Sequence, residues 1–484
     1  MIDATPHIVI VGGGIAGLAT AYYLQRQAQA QNLPLNYTLV ERDSSFGGKI
    51  ATNTDGGFVI EGGPDSFITQ KPWGYQLCQE LGLGDRLIGT NDERRKTFIV
   101  HKNRLRALPD GVMLIIPTRF MPFALSPLIS PWGKLRMGMD LFIPPKMDNS
   151  DESLADFINR RLGHEALDKI AEPLMAGIYV ADPEHLSIQS TFPRFITMEQ
   201  KYGSLIKGML AQMRARRSDN GTAPRPKLPL FMTLRGGLME LVDTLVGKLT
   251  GNLITGQGVT HIDFQAGGPM PYQVQLDNGQ ILNATHVIMA TPAYAAANLL
   301  EPYSPDLAAK LRSIRYISTA TVSLAFNRDE IDHPLDGFGF VVPKSEDCRL
   351  MACTWVSTKF NHRAPDDRVL LRVFVGGYKR QELVDLPDDE LLELVKTELH
   401  RTMGITAQPT RHEIYRWPKG NAQYDVGHLD RAAEIESLAA EVLPGMYFTG
   451  SAFRGVGLPD CIHQGQQIAE QVVKSLEQIT QPSY

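Results

Sequence analysis

The sequence predicts an α/β fold in which a Rossmann-like dinucleotide-binding domain is combined with a second, sheet-containing domain and a helical cap. Residues 8–11 form a β-branched run that leads into a glycine-rich turn and a helical apolar pattern, which is the order of a nucleotide-binding βαβ unit. Four later runs, at 319–326, 337–343, 350–355 and 369–376, have strand composition. They predict one antiparallel sheet.

Length and composition limit the classes of protein that fit. The 484 residues are enough for about two or three domains, and 43% apolar with 21% charged residues is typical of a globular protein. A net charge of −5 argues against a nucleic-acid partner. The four cysteines lack paired metal-ligand spacing, so we expect buried thiols and no metal site. We expect no secretory signal and no apolar run long enough to span a membrane, and we therefore expect a cytoplasmic location.

The glycine motif at 12–17 provides the chemistry of a pyrophosphate site. Gly12 permits the tight turn after the strand, and Gly14 lets the backbone approach a phosphate. Gly17 lets the helix, expected over 15–29, pack on the strand. The unpaired N–H groups at the start of that helix would face the phosphate.

Glu41 ends the second predicted strand, at 37–41. A carboxylate at this place can accept hydrogen bonds from an adenosine ribose. The alternative is a surface glutamate without a role. The strand and the motif together favour the ribose.

Two more glycine loops follow, at 42–50 and 56–66. Three such loops within the first 65 residues indicate backbone packed closely round a large flat ligand. Together with the acid that ends the second strand, they resemble the FAD-binding half of the flavin monooxygenase and amine-oxidase superfamily. The resemblance implies a discontinuous FAD-binding domain to which the strand at 286–289 returns, a mixed-sheet substrate domain and a helical cap.

Other segments are similar to the porphyrinogen oxidases of heme biosynthesis, and the similarity covers almost the whole chain. These segments are 61–67, 186–193 with 199–204, 416–417 with 423–424, and 455–462. The chain is most similar to the soluble, Gram-positive-type branch. One departure is Ser451, where many superfamily members carry an acid that contacts the flavin ribityl chain. This weakens an amine-oxidase assignment more than a porphyrinogen-oxidase one.

The resemblance implies cofactor and substrate residues but no certain catalytic side chain, because the flavin carries the chemistry. The residues expected to bind FAD are Gly12, Gly13, Gly14, Ile15, Ala16, Gly17, Glu41, Arg42, Gly48, Lys49, Gly62, Gly63, Pro64, Asp65, Val259, Trp417, Gly455, Val456 and Gly457. The residues expected to hold the substrate are Gly177, Ala176, Tyr179, Phe340, Val342, Arg95 and Lys71. Each substrate residue also has a simpler explanation, as packing or as a solvated cation.

The chain is predicted to pass several times between the FAD-binding domain and the substrate domain. The FAD-binding domain takes 1–90, 225–293 and 418–484, the substrate domain takes 91–110 and 294–417, and the cap takes 111–215. Within the cap, residues 111–145 are unusually apolar and interrupted by prolines. They line a substrate cavity or, alternatively, dip into one leaflet of a membrane.

The expected reaction is the six-electron oxidation of coproporphyrinogen III or protoporphyrinogen IX, with O2 as acceptor and H2O2 as product. The sequence does not distinguish the two substrates. A ferrochelatase that receives the product is a plausible partner from the pathway, and peripheral contact with the inner face of the cell membrane stays open. The alternatives are a flavin desaturase or amine oxidase of the same fold, and a prenyl-protein chaperone without redox chemistry.

Overall fold

The computed structural model describes residues 5–480 apart from 109–111, 114–115, 118–125, 127 and 219–227. Its helices lie mainly in the middle of the chain and after the strands of the nucleotide-binding sheet. They are α1 Ile15–Ala30, α2 Trp73–Glu80, α3 Pro131–Gly138, α4 Leu154–Arg161, α5 His164–Ala166, α6 Glu172–Tyr179, α7 Ile188–Thr191, α8 Pro193–Tyr202, α9 Leu205–Ser218, α10 Met239–Lys248, α11 Ala293–Leu300, α12 Pro305–Arg312, α13 Val356–Lys359, α14 Asp388–Met403, α15 His428–Val442 and α16 Leu458–Thr480.

The strands are short in the first half of the chain and longest in the second. They are β1 His7–Val11, β2 Asn36–Val40, β3 Thr52–Asp55, β4 Phe58–Glu61, β5 Phe67–Ile68, β6 Leu87–Gly89, β7 Thr97–His101, β8 Arg104–Ala107, β9 Val112–Met113, β10 Ile116–Pro117, β11 Phe231–Leu234, β12 Asn252–Ile254, β13 Val259–Phe264, β14 Tyr272–Leu276, β15 Ile281–Ala284, β16 His286–Met289, β17 Tyr316–Asn327, β18 Gly339–Val341, β19 Leu350–Trp355, β20 Arg368–Gly376, β21 Arg411–Ala422 and β22 Met446–Phe448.

A parallel sheet in the order β12-β2-β1-β16-β22 forms the nucleotide-binding half. Its strands come from three separate parts of the chain, which confirms the predicted α/β fold with a discontinuous Rossmann-like sheet. Strand β1 lies in the middle and is fully apolar from Ile8 to Val11, as expected of a strand covered on both faces. Helices α1 and α16 pack together on one of those faces.

The second sheet has the order β21-β17-β20-β19-β18-β7-β8. The four predicted runs are adjacent in it, as β17, β20, β19 and β18. The four runs are antiparallel to one another, as predicted. The sheet as a whole is mixed, as expected of the substrate domain, because β18 pairs in parallel with β7.

The two faces of this sheet have different roles. The outward face carries residues such as Val322, Phe340 and Val373, which pack with Leu391 and Val395 of α14. The inward face carries Thr321, Arg372 and Trp417, which hydrogen-bond to the nucleotide-binding half. The substrate domain therefore meets the cofactor domain through its inward face.

The middle of the chain is helical, as predicted for the cap, and a π-helical turn at Leu167–Ala171 directly precedes α6. Serine side chains fix the starts of several helices: the hydroxyls of Ser130, Ser153 and Ser187 each accept an N–H from the third residue beyond, the usual N-cap arrangement. Most of the apolar stretch at 112–125 lies outside the described residues.

The predicted domain limits stay predictions, and two of them can be located among these elements. Strands β7 and β8, at 97–107, belong to the second sheet, as expected of the segment 91–110. The expected limit at residue 417, however, falls inside β21, which continues to Ala422. We find no helix, within the part of the chain that the structure describes, that is long and apolar enough to cross a bilayer.

Candidate active site

The glycine loop lies at the carboxyl end of β1, in the middle of the parallel sheet. Gly12 has a φ of +107°, and a Cβ there would lie 2.9 Å from the carbonyl oxygen of Ala290. A Cβ on Gly17 would come within 2.0 Å of the Gly12 oxygen. Because no side chain fits at either position, α1 begins close against the sheet, with its N-terminal N–H groups at the carboxyl edge of the sheet, where dinucleotides bind. We call the space at this edge the cleft.

Glu41 is fixed beside this loop. The Gly13 N–H donates to its Oε2 over 2.7 Å, and the Asp43 N–H donates to its Oε1 over 2.9 Å. Both oxygens keep free lone pairs, so the half-buried carboxylate could accept hydrogen bonds from ribose hydroxyls. Arg42, the next residue, is exposed. The Gln257 N–H donates to the Glu41 carbonyl, and Val259, two residues later, begins β13.

The second glycine pair packs on the first loop. The Gly47 N–H donates to the Gly13 carbonyl over 2.9 Å, and Gly14 and Gly47 form an isolated parallel bridge. Lys49 follows Gly48 and is exposed, yet desolvation lowers its pKa. The Lys49 ammonium therefore lies among protein atoms that disfavour its charged form.

The third glycine loop, at 62–65, joins the two domains. A Cβ on Gly63 would lie 1.6 Å from the Lys49 carbonyl oxygen, so only glycine fits. The carbonyl of Gly62 accepts hydrogen bonds from side chains of the second sheet: Thr321 Oγ1 at 3.0 Å, Arg372 Nη2 at 3.0 Å and Trp417 Nε1 at 2.9 Å. These bonds place the loop where the two domains meet.

Asp65 ends this loop and forms a partly buried ion pair. Lys359 Nζ lies 2.7 Å from its Oδ2, and the Ser66 hydroxyl donates to its Oδ1 over 2.6 Å. Burial alone would raise the pKa of the Asp65 carboxyl, but the charges of Lys359 and Arg372 hold it well below its usual range. Asp65 is therefore an anion in this structure.

The start of α16 closes the far end of the cleft. Gly455, Val456 and Gly457 precede it, and Lys71 Nζ lies 2.7 Å from both carboxylate oxygens of Asp460 in its first turn. Burial, and then the nearby Asp460 carboxylate, raise the pKa of Tyr179. Tyr179, at the C-terminal end of α6, therefore lies within electrostatic range of Asp460 at the start of α16.

The predicted substrate residues do not all lie together. Ala176 and Gly177 belong to α6, although the side-chain surroundings at 176–178 lie outside what the structure describes. Tyr179 follows on the same helix, and its hydroxyl donates to the Thr191 carbonyl over 3.2 Å. Lys71 is paired with Asp460 and is not a free cation, whereas Arg95 is exposed.

Phe340 and Val342 require a correction. Both belong to the apolar core behind the second sheet, and Phe340 is only 1% exposed. Val341, which points to the other face, packs against the core of the cap and the cofactor domain. Because alternate residues of a strand face opposite sides, the prediction for Phe340 chose the wrong face.

The comparisons with known proteins agree with this geometry. A family model described as flavin containing amine oxidoreductase matches residues 15–473. The chain is 38% identical to the coproporphyrinogen III oxidase of Bacillus subtilis (strain 168), over 96% of this chain and 97% of the relative. This chain belongs to the porphyrinogen oxidase branch of the flavin-containing amine oxidoreductase family.

Other members extend the comparison. The flavoenzyme is 33% identical to the coproporphyrinogen III oxidase of Staphylococcus aureus, over 98% of this chain and all of the relative. A crystal structure of a proposed protoporphyrinogen oxidase from Exiguobacterium sp. 255-15 has a TM-score of 0.86 and 32% identity, and covers 98% of this chain and 99% of its own. A putrescine oxidase bound to putrescine, at 16% identity and a TM-score of 0.67 over 97% of this chain and 99% of its own, shares the fold.

FAD is the cofactor of this flavoenzyme, and the residues of the cleft fit it. The backbone at Gly14 is open, since an added Cβ would meet nothing nearer than the Gly48 Cα at 4.0 Å, so a pyrophosphate can approach it closely. Each Glu41 oxygen accepts one backbone N–H and keeps a lone pair for a ribose hydroxyl.

Arg372 and Lys359 bind the loop at 62–65 from the second sheet and the helix after β19, and neither was predicted from the sequence. Arg372 is the only charged residue between Val369 and Val375 of an otherwise apolar strand. A charged residue in such a strand is expected to be buried and paired, so this pattern could have identified Arg372 from the sequence. Nothing in the sequence around Lys359 indicates its pairing with Asp65, which is 294 positions away.

Proposed function

We propose that this flavoenzyme oxidises a porphyrinogen to the porphyrin, with O2 as the electron acceptor. Full-length similarity, at 33–38% identity, to three proteins named coproporphyrinogen III oxidase carries the proposal. These relatives favour coproporphyrinogen III over protoporphyrinogen IX. Conversion of a porphyrinogen to a porphyrin removes six electrons and six hydrogens, so the balanced reaction consumes three O2 and yields three H2O2.

Bound FAD supplies two-electron redox chemistry, and the side chains supply binding and position. Glu41 would hold the adenosine ribose and the start of α1 the pyrophosphate. The loops with Gly48, Lys49 and 62–65 would surround the remainder of the cofactor. Gly455, Val456 and Gly457 would present the N-terminus of α16, whose dipole stabilises negative charge.

The substrate would lie between α6, the start of α16 and the inward face of the second sheet. Ala176, Gly177 and Tyr179 of α6 are the proposed wall of this space. The Lys71–Asp460 pair lies at its cofactor end. Arg95 is an exposed cation that could attract substrate propionates.

The test of this function is porphyrin fluorescence in air, with the purified protein and each porphyrinogen supplied separately. We expect fluorescence to grow with both substrates and faster with coproporphyrinogen III. A faster signal with protoporphyrinogen IX would overturn the substrate preference. No growth with either, from protein that retains FAD, would refute porphyrinogen oxidation and favour the amine oxidase or desaturase alternative.

We further propose a cytoplasmic enzyme that contacts the membrane surface through α3 and the turn after it. Trp132, Leu135, Met139 and Phe142 are exposed and recur at helical spacing, so they form one apolar face. Apolar side chains in such a face can enter the interfacial layer of a bilayer. A ferrochelatase that accepts the product is the proposed protein partner.

Vesicle co-sedimentation tests the membrane contact. We expect the Trp132→Ser, Phe142→Ser double variant to lose most of its binding to anionic vesicles. The control is Ile281→Ser, which removes an exposed apolar side chain, 53% exposed, from β15. Equal sedimentation of the wild type and the double variant would refute the contact.

A further inference from the structure

The loop at 449–457 connects β22 to α16 and forms one wall of the cofactor cleft. It begins at the carboxyl end of the parallel sheet, and a Cβ on Gly450 would lie 3.7 Å from the Cβ of Ala16 in the first turn of α1. Its far end is Gly455, which packs on Asp460. The contacts that hold this loop in place therefore also determine the shape of the cleft.

His428, the first residue of α15, contacts the middle of this loop. The side chain is 0% exposed, and its Nε2 lies 2.9 Å from the carbonyl oxygen of Phe453. A carbonyl only accepts, so Nε2 carries the proton and donates. Burial lowers the pKa of His428 to about 4, so the ring is neutral at pH 7 and Nδ1 is left buried without a partner.

The same ring stacks on Tyr424. The two ring centroids are 3.8 Å apart, with an angle of 12° between the planes. The Tyr424 hydroxyl accepts the Gly455 N–H over 2.6 Å and donates to the Ser451 carbonyl over 3.1 Å. His428 and Tyr424, in contact with each other, thus hold the backbone of the loop at Ser451, Phe453 and Gly455.

We propose that His428 is a positioning residue for the flavin: through its bond to Phe453 and its stacking on Tyr424, it sets the loop at 449–457 against the cofactor. The inference rests on the cofactor site proposed above but not on the identity of the substrate. Neither side chain needs to touch FAD. Both side chains act by determining how well the loop at 449–457 fits FAD.

Three variants separate the components of this effect. His428→Phe keeps an aromatic ring for stacking but removes the donor to Phe453. His428→Gln keeps an N–H donor near the position of Nε2. The control is His286→Phe, because His286 is also buried, also neutral with a pKa of about 4, and lies at the amino end of β16, away from the cleft.

The measurements are the dissociation constant of FAD, the flavin absorption spectrum and the reduction potential of the bound flavin. We expect His428→Phe to weaken FAD binding about tenfold, as loss of one well-placed hydrogen bond would, and to shift the spectrum and the potential. His428→Gln should recover most of the affinity. His286→Phe should leave the spectrum and the potential unchanged, even where it lowers thermal stability.

Wild-type affinity and potential in His428→Phe would overturn the proposal, as would an equal shift in His286→Phe or no recovery in His428→Gln. If His428→Phe does not fold, Tyr424→Phe provides the same test, because it removes only the hydroxyl that binds Gly455 and Ser451. A shifted potential in Tyr424→Phe supports the proposal, and an unchanged one overturns it. All these readouts are independent of porphyrinogen, so a protein inactive on porphyrinogens can still support the inference.

Discussion

At the scale of single residues, the Gly62 carbonyl connects the two domains. It accepts three side-chain donors from the second sheet, and Arg372 also donates to Gly63. Arg372 is 3% exposed and helps to keep Asp65 ionised. The loop beside the proposed FAD site therefore depends on a charge from the substrate domain.

Replacement of Arg372 tests this dependence. We expect Arg372→Met to lower the free energy of unfolding by about 2–3 kcal/mol, because hydrogen bonds to a charged group are lost in a buried place, and to reduce FAD retention. The measurements are urea unfolding and flavin content after purification. Arg349→Met is the control, because Arg349 is half-exposed and pairs with Glu398 behind the sheet. Equal FAD retention in the two variants would show that Arg372 does not support the cofactor site.

At the scale of elements, α6 is fixed at both ends. Glu172, in its first turn, is buried and accepts the Lys344 N–H at 3.0 Å and the Tyr378 hydroxyl at 3.0 Å. Val180, directly after it, has a φ of +54°, which is rare for a β-branched residue. This helix carries the proposed substrate residues, so its position should affect substrate binding more than cofactor binding.

The corresponding prediction concerns Glu172→Leu. It leaves the Lys344 N–H and the Tyr378 hydroxyl without their acceptor in a part-buried place, a cost of about 1–3 kcal/mol in all, and allows α6 to shift. We expect a several-fold higher KM for the porphyrinogen with unchanged FAD content, measured by steady-state kinetics. Glu393→Leu, an exposed site on α14, is the control. A loss of FAD in Glu172→Leu would show instead that α6 supports the cofactor site.

The elements also show what the sequence could predict. The glycine loop, β2 with Glu41 and the hairpin of β14 and β15 follow from local patterns, because turn chemistry and strand composition act over a few residues. The mixed sheet could not be predicted in full, since β7 joins β18 from 242 positions away. The choice of Phe340 over Val341 failed because both faces of β18 are covered. Apolar residues then occur on both faces, and the sequence pattern does not show which face is directed at the substrate.

At the scale of the whole molecule, two buried histidines make stability depend on pH. Burial lowers the pKa of His286 and of His428 to about 4, from an ordinary value of 6.5. Below pH 6.5 the unfolded chain binds protons that the folded chain does not, so stability falls as the pH falls toward 4. Between pH 7 and 5 each histidine should remove about 2 kcal/mol.

Urea unfolding at pH 7 and pH 5 measures this dependence. We expect the wild type to lose stability over the interval and His286→Phe to lose about 2 kcal/mol less. The contribution of His286 is refuted if the two proteins show the same difference between pH 7 and pH 5.

A porphyrinogen should reduce the flavin of this protein directly, and anaerobic mixing tests this. Purified protein containing FAD is mixed with coproporphyrinogen III without O2, and the visible flavin absorption is followed. We expect the absorption to bleach and to return when air is admitted, with porphyrin fluorescence appearing. Flavin that stays oxidised with coproporphyrinogen III and with protoporphyrinogen IX would contradict the claim.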